Sequence, residues 1–207
     1  MSQIEREAKL TVTPADYRRL MESSRVLECR DQLNVYYQDP QRLQEQLGFL
    51  RVRYEAGRGA TGTVKVPRRW EGELREMVEI EEPLSRLGPG LFPRPKRQVQ
   101  VATDLPGEMG RHFLAQGITH LSRLGWMRNH RCVVEVLEGG VVELDRTHLP
   151  DGSLHHEVEI ETFDEELLEA LLDRVRAIAP SATPSQIGKF SRFLSHASGR
   201  LPPLPQG

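Results

Sequence analysis

Several stretches of the chain alternate apolar with charged or polar residues at period two, the pattern of a strand whose two faces meet different surroundings. At the N-terminal end Ile4, Ala8, Leu10 and Val12 share one parity with Arg6, while Glu5, Glu7, Lys9 and Thr11 take the other. Leu50, Val52 and Tyr54 alternate with Arg51 and Arg53, and Val64 and Val66 alternate with Thr61, Thr63 and Lys65. Further along, Cys132, Val134 and Val136 oppose Arg131 and Glu135, and Val142 and Leu144 oppose Glu143 and Asp145. In the last such stretch Val158 and Ile160 alternate with Glu157, Glu159 and Glu161.

Helical periodicity separates these strands. Thr13-Pro14-Ala15-Asp16 combines a cap residue, a first-turn proline and an acid three positions after the cap, followed by Tyr17, Leu20 and Met21 at helical spacing. A second helix is predicted from about Asp164 to Ile178, with Leu167, Leu168, Leu171, Leu172 and Val175 as its buried stripe. A third is predicted to start at Thr183-Pro184-Ser185 and to pack through Ile187, Phe190 and Leu194, and residues 106–124 read as one or two weaker helices. Glu138-Gly139-Gly140 and Pro150-Asp151-Gly152 fit tight turns, so consecutive strands pair antiparallel. The Pro-rich stretch from Gly88 to Pro95 reads as a connector and residues 199–207 as a tail, leaving 1–198 as one domain.

Composition narrows the class. With 207 residues, 38% hydrophobic, 28% charged and a formal net charge of −2, the chain is a folded protein without a globally basic, DNA-coating surface. No apolar run approaches the ~18 residues of a spanning helix, and the charged start MSQIEREAKL does not read as a signal peptide, so a cytoplasmic protein without a membrane partner is expected. Cys29 and Cys132 have no metal-type spacing and are expected to be small packing residues. His130, His155 and His156 are expected at the surface.

The informative feature is how charge is sorted. Glu157, Glu159 and Glu161 put three like charges on one face of one strand, where they repel, and Arg51 and Arg53 form a doublet of opposite sign. If the helices cover the apolar parity, a sheet closed on itself turns the charged parity inward. Glu-x-Glu then offers two carboxylates on one side, about 7 Å apart, to a hard divalent cation such as Mg²⁺ or Mn²⁺. Arginine and lysine at matched depth suit phosphate oxygens.

Ordered motifs add a family resemblance. Glu5-Arg6-Glu7-Ala8-Lys9 resembles the ExExK signature of the CYTH, or triphosphate tunnel metalloenzyme, superfamily. Asn34-Val35-Tyr36-Tyr37 with Leu50-Arg51-Val52-Arg53 resembles its NxYF and LRxR stretch, and Thr63-Val64-Lys65 its TLK strand. Arg131 resembles its TxR arginine, Leu144-Asp145 its LD pair, residues 157–161 its ExExE strand, and Lys189-Phe190-Ser191-Arg192-Phe193 its terminal helix motif. Gln38, Met77 and Asn129 depart from the family's aspartate, arginine and threonine.

The resemblance implies an α+β, mainly β fold: an eight-stranded antiparallel closed barrel, with helices outside, that hydrolyses a triphosphate using Mg²⁺ or Mn²⁺. Glu5, Glu7, Glu157, Glu159 and Glu161 would hold metal, and Lys9, Arg51, Arg53, Lys65 and Arg131 would hold phosphate. Catalysis would centre on Lys9, Glu5, Glu7 and Glu159, with Glu79, Glu81, Asp145 and Lys189 as additional residues. The substrate classes it implies are inorganic triphosphate first, then thiamine triphosphate, a nucleoside triphosphate, an RNA 5′ end, or ATP cyclised to cyclic AMP. A polyphosphate- or nucleotide-binding module without turnover is the reading of a different class. No heptad or apolar patch marks an oligomer, so monomer and homodimer both stay open.

Overall fold

The computed structural model describes residues 6–39, 49–55, 58–71, 74–84, 97–105, 107–185 and 187–197. Period-two segments form strands and the capped segments form helices, in the order β1 (Arg6–Thr11), α1 (Pro14–Ser23), β2 (Arg25–Gln38), β3 (Phe49–Glu55), β4 (Gly59–Glu71), β5 (Leu74–Pro83), β6 (Gln98–Gln100), α2 (Val101–Asp104), α3 (Gly107–Ala115), β7 (His120–Leu137), β8 (Gly140–His148), β9 (Leu154–Thr162), α4 (Glu165–Ile178), β10 (Thr183–Pro184) and α5 (Lys189–His196). The fold is thus mainly β with antiparallel pairing and, among the described residues, five helices. The Pro-rich connector and the tail lie outside the described residues.

Hydrogen-bonded neighbours follow the order β10-β1-β9-β8-β7-β2-β3-β4-β5, with β6 on β7. This corrects the expectation of a closed eight-stranded barrel. Among the described residues there are ten strands, and the end strands β10 and β5 are not paired with each other. The physical reason is visible at β10. It is two residues long, and Pro184 has no N–H with which to continue the ladder.

The chain divides into two compact units, one of Met1–Asp31 with Arg128–His196 and the other centred on Gln32–Met127. In the first, Leu10, Val158, Ile160, Leu144, Val142, Cys132 and Val134 form the apolar sheet face, covered by Tyr17 and Leu20 of α1 and Leu171 and Val175 of α4. Both helices begin on the caps the sequence marks. Thr13 Oγ1 accepts from the Asp16 amide at 3.2 Å, and Asp164 Oδ1 accepts from the Glu166 and Leu167 amides at 2.9 and 3.2 Å. The β7–β8 turn is Glu138-Gly139, with Gly139 at φ +73°, a conformation glycine adopts without Cβ strain. In the second unit Val35, Tyr37, Leu50, Val52 and Val64 pack under Leu105, Met109 and Phe113 from the α2–α3 segment.

Three further expectations change. Thr183-Pro184 is a short strand on β1 rather than a helix start, and the Ser185 amide donates to the Lys9 carbonyl at 2.8 Å, so the chain runs along β1 before α5 begins at Lys189. As a result Ile187 and Leu194 are exposed, and α5 turns Arg192 and Phe193 inward. Cys29 and Cys132 are joined in a disulfide: Cys132 is buried in the core as expected, but its partner is another sulfur. His156 is buried against Tyr17, with ring centroids 5.0 Å apart, because its parity on β9 is that of Val158.

Candidate active site

Residues opposite each other in a ladder share a face, so strand register assembles the site. On β1 and β9 the pairs are Glu7 with Glu161, Lys9 with Glu159 and Thr11 with Glu157. β8 continues the rows with Glu143 opposite Glu159 and Asp145 opposite Glu157, and β7 adds Arg131 opposite Asp145. The polar parity of four strands in the first unit is therefore one charged surface, and its apolar parity is the core just described.

Much of this surface is buried. Glu157 and Asp145 are fully buried, and Glu159 and Arg131 are nearly so. Lys189 of α5 reaches into them, with Nζ 2.7 Å from Asp145 Oδ2, 2.9 Å from Glu157 Oε2, and in contact with Glu159. Arg131 grips Asp145 with a two-pronged fork, Nε to Oδ1 at 2.8 Å and Nη2 to Oδ2 at 2.6 Å; it also donates to Glu159 Oε2 at 2.6 Å and pairs with Glu143. Lys9 pairs with Glu7 and lies 3.7 Å from Glu159. Arg192 Nη1 is 3.6 Å from Glu157.

The titration behaviour follows from this packing. Burial works against the Glu159 and Asp145 carboxylates, but Lys189 and Arg131 outweigh it and hold both below the ordinary value, with Lys9 adding to the effect at Glu159. Glu157 is held at about 2 against burial, chiefly by Lys189. Burial opposes charge on the lysines too, yet the carboxylates around them raise both Lys189 and Lys9. Glu161 behaves oppositely. Its side chain is exposed at one side, yet partial desolvation, then Glu143, Glu7 and Glu159, push its carboxyl up to about 7.

Among the described residues, this row sets six carboxylates (Glu7, Glu143, Asp145, Glu157, Glu159, Glu161) against four cations (Lys9, Arg131, Lys189, Arg192). The shortage falls at Glu161. There Glu7, Glu159 and Glu161 each offer an oxygen within 4.8 Å of the others, an all-carboxylate set that suits a hard divalent cation. Asp145, Glu157 and Glu159 form a second such trio, already occupied by the shared Lys189 ammonium. A pH prediction follows for the protein without metal. Glu161 binds its proton more tightly folded than unfolded, so it costs stability as pH rises from about 4.5 to about 7. Thermal unfolding across that range should show this fall, and Glu161→Gln or saturating divalent cation should remove it; an identical pH profile for the variant would refute the repulsion.

The second unit carries its own polar row. Arg53 Nε donates to Asn34 Oδ1 at 3.0 Å, and Arg51 Nη2 donates to Thr63 Oγ1 at 3.0 Å. Thr63 in turn donates to Glu81 at 3.1 Å. Glu5 and the side chains of Lys65, Met77 and Glu79 lie outside the described residues; by backbone register Lys65 of β4 stands opposite Phe49 and Glu79.

Glu143, Arg192 and Asn129 join the site without being among the residues expected there. Glu143 carries a signal in retrospect: it shares the parity of Asp145, two residues on. Asn129 stands where the family has threonine and supports Asp145 directly, its Nδ2 donating to Oδ1 at 2.7 Å while its Oδ1 accepts from Thr147 at 2.8 Å. His155 is half-buried, 3.9 Å from Glu157.

The motif order and the fold have counterparts among known proteins. The family model for the CYTH domain matches residues 3–194. No curated protein matches the sequence. Among solved structures, the chain is similar to HpAC1 from Hippeastrum, described as an adenylyl cyclase revealing a dominant triphosphatase activity, at 24% identity and TM-score 0.76, covering 99% of this chain and 100% of that one. It is also similar to a Bacillus halodurans protein described as an adenylate cyclase, at 20% identity and TM-score 0.66, covering 92% and 97%. The PH1819 protein of Pyrococcus horikoshii matches at 18% identity and TM-score 0.57, covering 93% and 99%. Among the described residues no helix is long and apolar enough to cross a membrane.

Proposed function

The chain belongs to the CYTH domain family, and from that premise we propose that it is a divalent-metal-dependent triphosphatase. Its first substrate in this reading is inorganic triphosphate, cleaved to diphosphate and phosphate. The observation that carries the reading is the acidic row of β1, β8 and β9, where Glu7, Glu159 and Glu161 bring three carboxylate oxygens together and Lys189 and Arg131 hold Glu159 in place.

Glu7, Glu159 and Glu161 are the metal-holding set, with Glu157 on the same face of β9 and Glu5, assigned by its place in the ExExK motif, completing it. The ion, when bound, supplies a Lewis acid that offsets phosphate-oxygen charge and acidifies a water. Lys9, between Glu7 and Glu159, holds a phosphate oxygen and keeps its proton, because both carboxylates favour the ammonium. Arg131 is engaged with three carboxylates, so its share is to fix Glu159 and Asp145 as well as to oppose phosphate charge. Phosphate binding in the second unit is assigned to Arg51, Arg53 and Lys65, with Glu81 and Asn34 orienting the two arginines. Hydrolysis breaks one P–O–P bond: a water oxygen joins the terminal phosphorus and the bridging oxygen leaves on diphosphate. No side-chain nucleophile is required.

The test is a product assay over inorganic triphosphate, thiamine triphosphate and ATP with Mg²⁺ and Mn²⁺. Phosphate release fastest from inorganic triphosphate is expected. Cyclic AMP from ATP would replace the hydrolase by a cyclase, and binding without turnover would replace the enzyme by a polyphosphate-binding module. Arg53→Ala should raise KM for the triphosphate about tenfold with kcat little changed. A loss confined to kcat would instead place Arg53 on the transition state.

A further inference from the structure

A second cluster of reactive side chains lies away from the acidic row. Cys29 and Asp31 are two residues apart on β2, and His130 and Cys132 are two residues apart on β7. Each pair shares a strand face, and the faces meet: Cys29 is bonded to Cys132, and Asp31 Oδ1 lies 2.8 Å from His130 Nδ1. The other ring nitrogen, His130 Nε2, is 3.4 Å from Cys132 Sγ. With the Asp31 carboxylate accepting from Nδ1–H, Nε2 carries the lone pair, and it is aimed at sulfur. Cys29 is exposed, so the disulfide is open to solvent on one side.

A disulfide serving only as a staple has no use for a histidine held in one tautomer by an acid. A zinc site does. Zinc ligands of the sulfur and imidazole type stand about 3.5–4 Å apart around a tetrahedral ion, and a ligating histidine characteristically gives its other N–H to a carboxylate. Here the two sulfurs and one imidazole nitrogen all lie within 4.8 Å of one another.

We propose that Cys29, Cys132 and His130, with Asp31 orienting the imidazole, form a redox-gated zinc site: Zn²⁺ bound when the cysteines are reduced, released when they close into the disulfide. The reductant is a dithiol. Its thiolate attacks the exposed Cys29 Sγ, the S–S bond breaks, and the electron pair leaves on Cys132 Sγ beside His130. The second thiol of the reductant then displaces Cys29, giving the reductant's own disulfide and two protein thiols, a transfer of two electrons and two protons. Zinc binding releases the two thiol protons to solvent, and a water takes the fourth position.

The experiment titrates Co²⁺ into the full chain after reduction with a water-soluble phosphine. Carboxylate-bound cobalt gives no sulfur-to-cobalt charge-transfer band, and excess Mg²⁺ keeps the carboxylates of the acidic row from taking up the added cobalt. One equivalent should produce that near-ultraviolet band in the reduced protein and none in the oxidised protein or in Cys29→Ser, and Zn²⁺ should displace it. Asp31→Asn should keep the stoichiometry and weaken Zn²⁺ binding roughly 10- to 100-fold. A reduced chain that keeps its circular dichroism spectrum but shows no band would overturn the proposal. So would a band that survives in Cys29→Ser, or a chain that unfolds on reduction, which would make the disulfide a structural staple.

Discussion

Glu159→Gln should reduce metal-dependent phosphate release from inorganic triphosphate by about a hundredfold to a thousandfold in kcat. Glu159 belongs to both carboxylate trios, stands opposite Lys9 on one side and Glu143 on the other, and accepts from Arg131. Its amide counterpart has nearly the same volume, so the sheet should keep its packing and circular dichroism spectrum. What changes is charge. Lys9, Arg131 and Lys189 would then face one anion fewer, and the all-carboxylate donor set at Glu7 and Glu161 would lose its central member. The loss should persist at saturating triphosphate. Glu169→Gln, on the exposed side of α4, is the matched control and should leave turnover unchanged. Equal turnover in Glu159→Gln would remove the acidic row from the reaction.

Lys189→Met should destabilise the metal-free protein by about 3–5 kcal/mol near neutral pH, the cost of leaving a buried charge cluster without its counter-ion. The Lys189 ammonium is the group that Asp145, Glu157 and Glu159 share, and all three are buried. Methionine fills similar space, so the loss is electrostatic. The pH dependence gives the signature. Carboxylates whose pKa is lowered by folding stabilise above their unfolded value of about 4 and lose that contribution as pH falls toward their folded value, about 2 for Glu157. The gap between wild type and Lys189→Met should therefore be full at pH 7 and shrink below pH ~4. Urea unfolding at both pH values measures it. A gap that is small at pH 7 would show that Lys189 is not the counter-ion of the cluster.

Legibility differed by the range of the interaction. The two faces of β1, β8 and β9 could be read locally, because alternate residues on a strand must point to opposite sides and Leu10, Leu144 and Val158 needed cover. The starts of α1 and α4 were equally local, set by Thr13 and Asp164. β2 does not show in the alternation, because Val26 and Leu27 are apolar yet exposed and blur it. The stripe expected on the last helix does not form because Thr183-Pro184, which has the letters of a helix start, follows β1 as a short strand. The role of Glu143 depends on standing opposite Glu159, a register that local pattern does not state.

From its residues alone this protein has mainly antiparallel strands, helices on their apolar faces, and an acidic and basic side-chain set in the order of the CYTH family. Each of these depends on neighbours within a few positions, where period and capping chemistry act directly. Tertiary structure decided that Lys189 enters among three carboxylates at least thirty residues away, and that Cys29 meets Cys132 across 103 positions. It also decided that the sheet ends at a proline-bearing strand. Those outcomes depend on register and docking between distant segments, where the energy lies in a contact that exists only once both partners are in place.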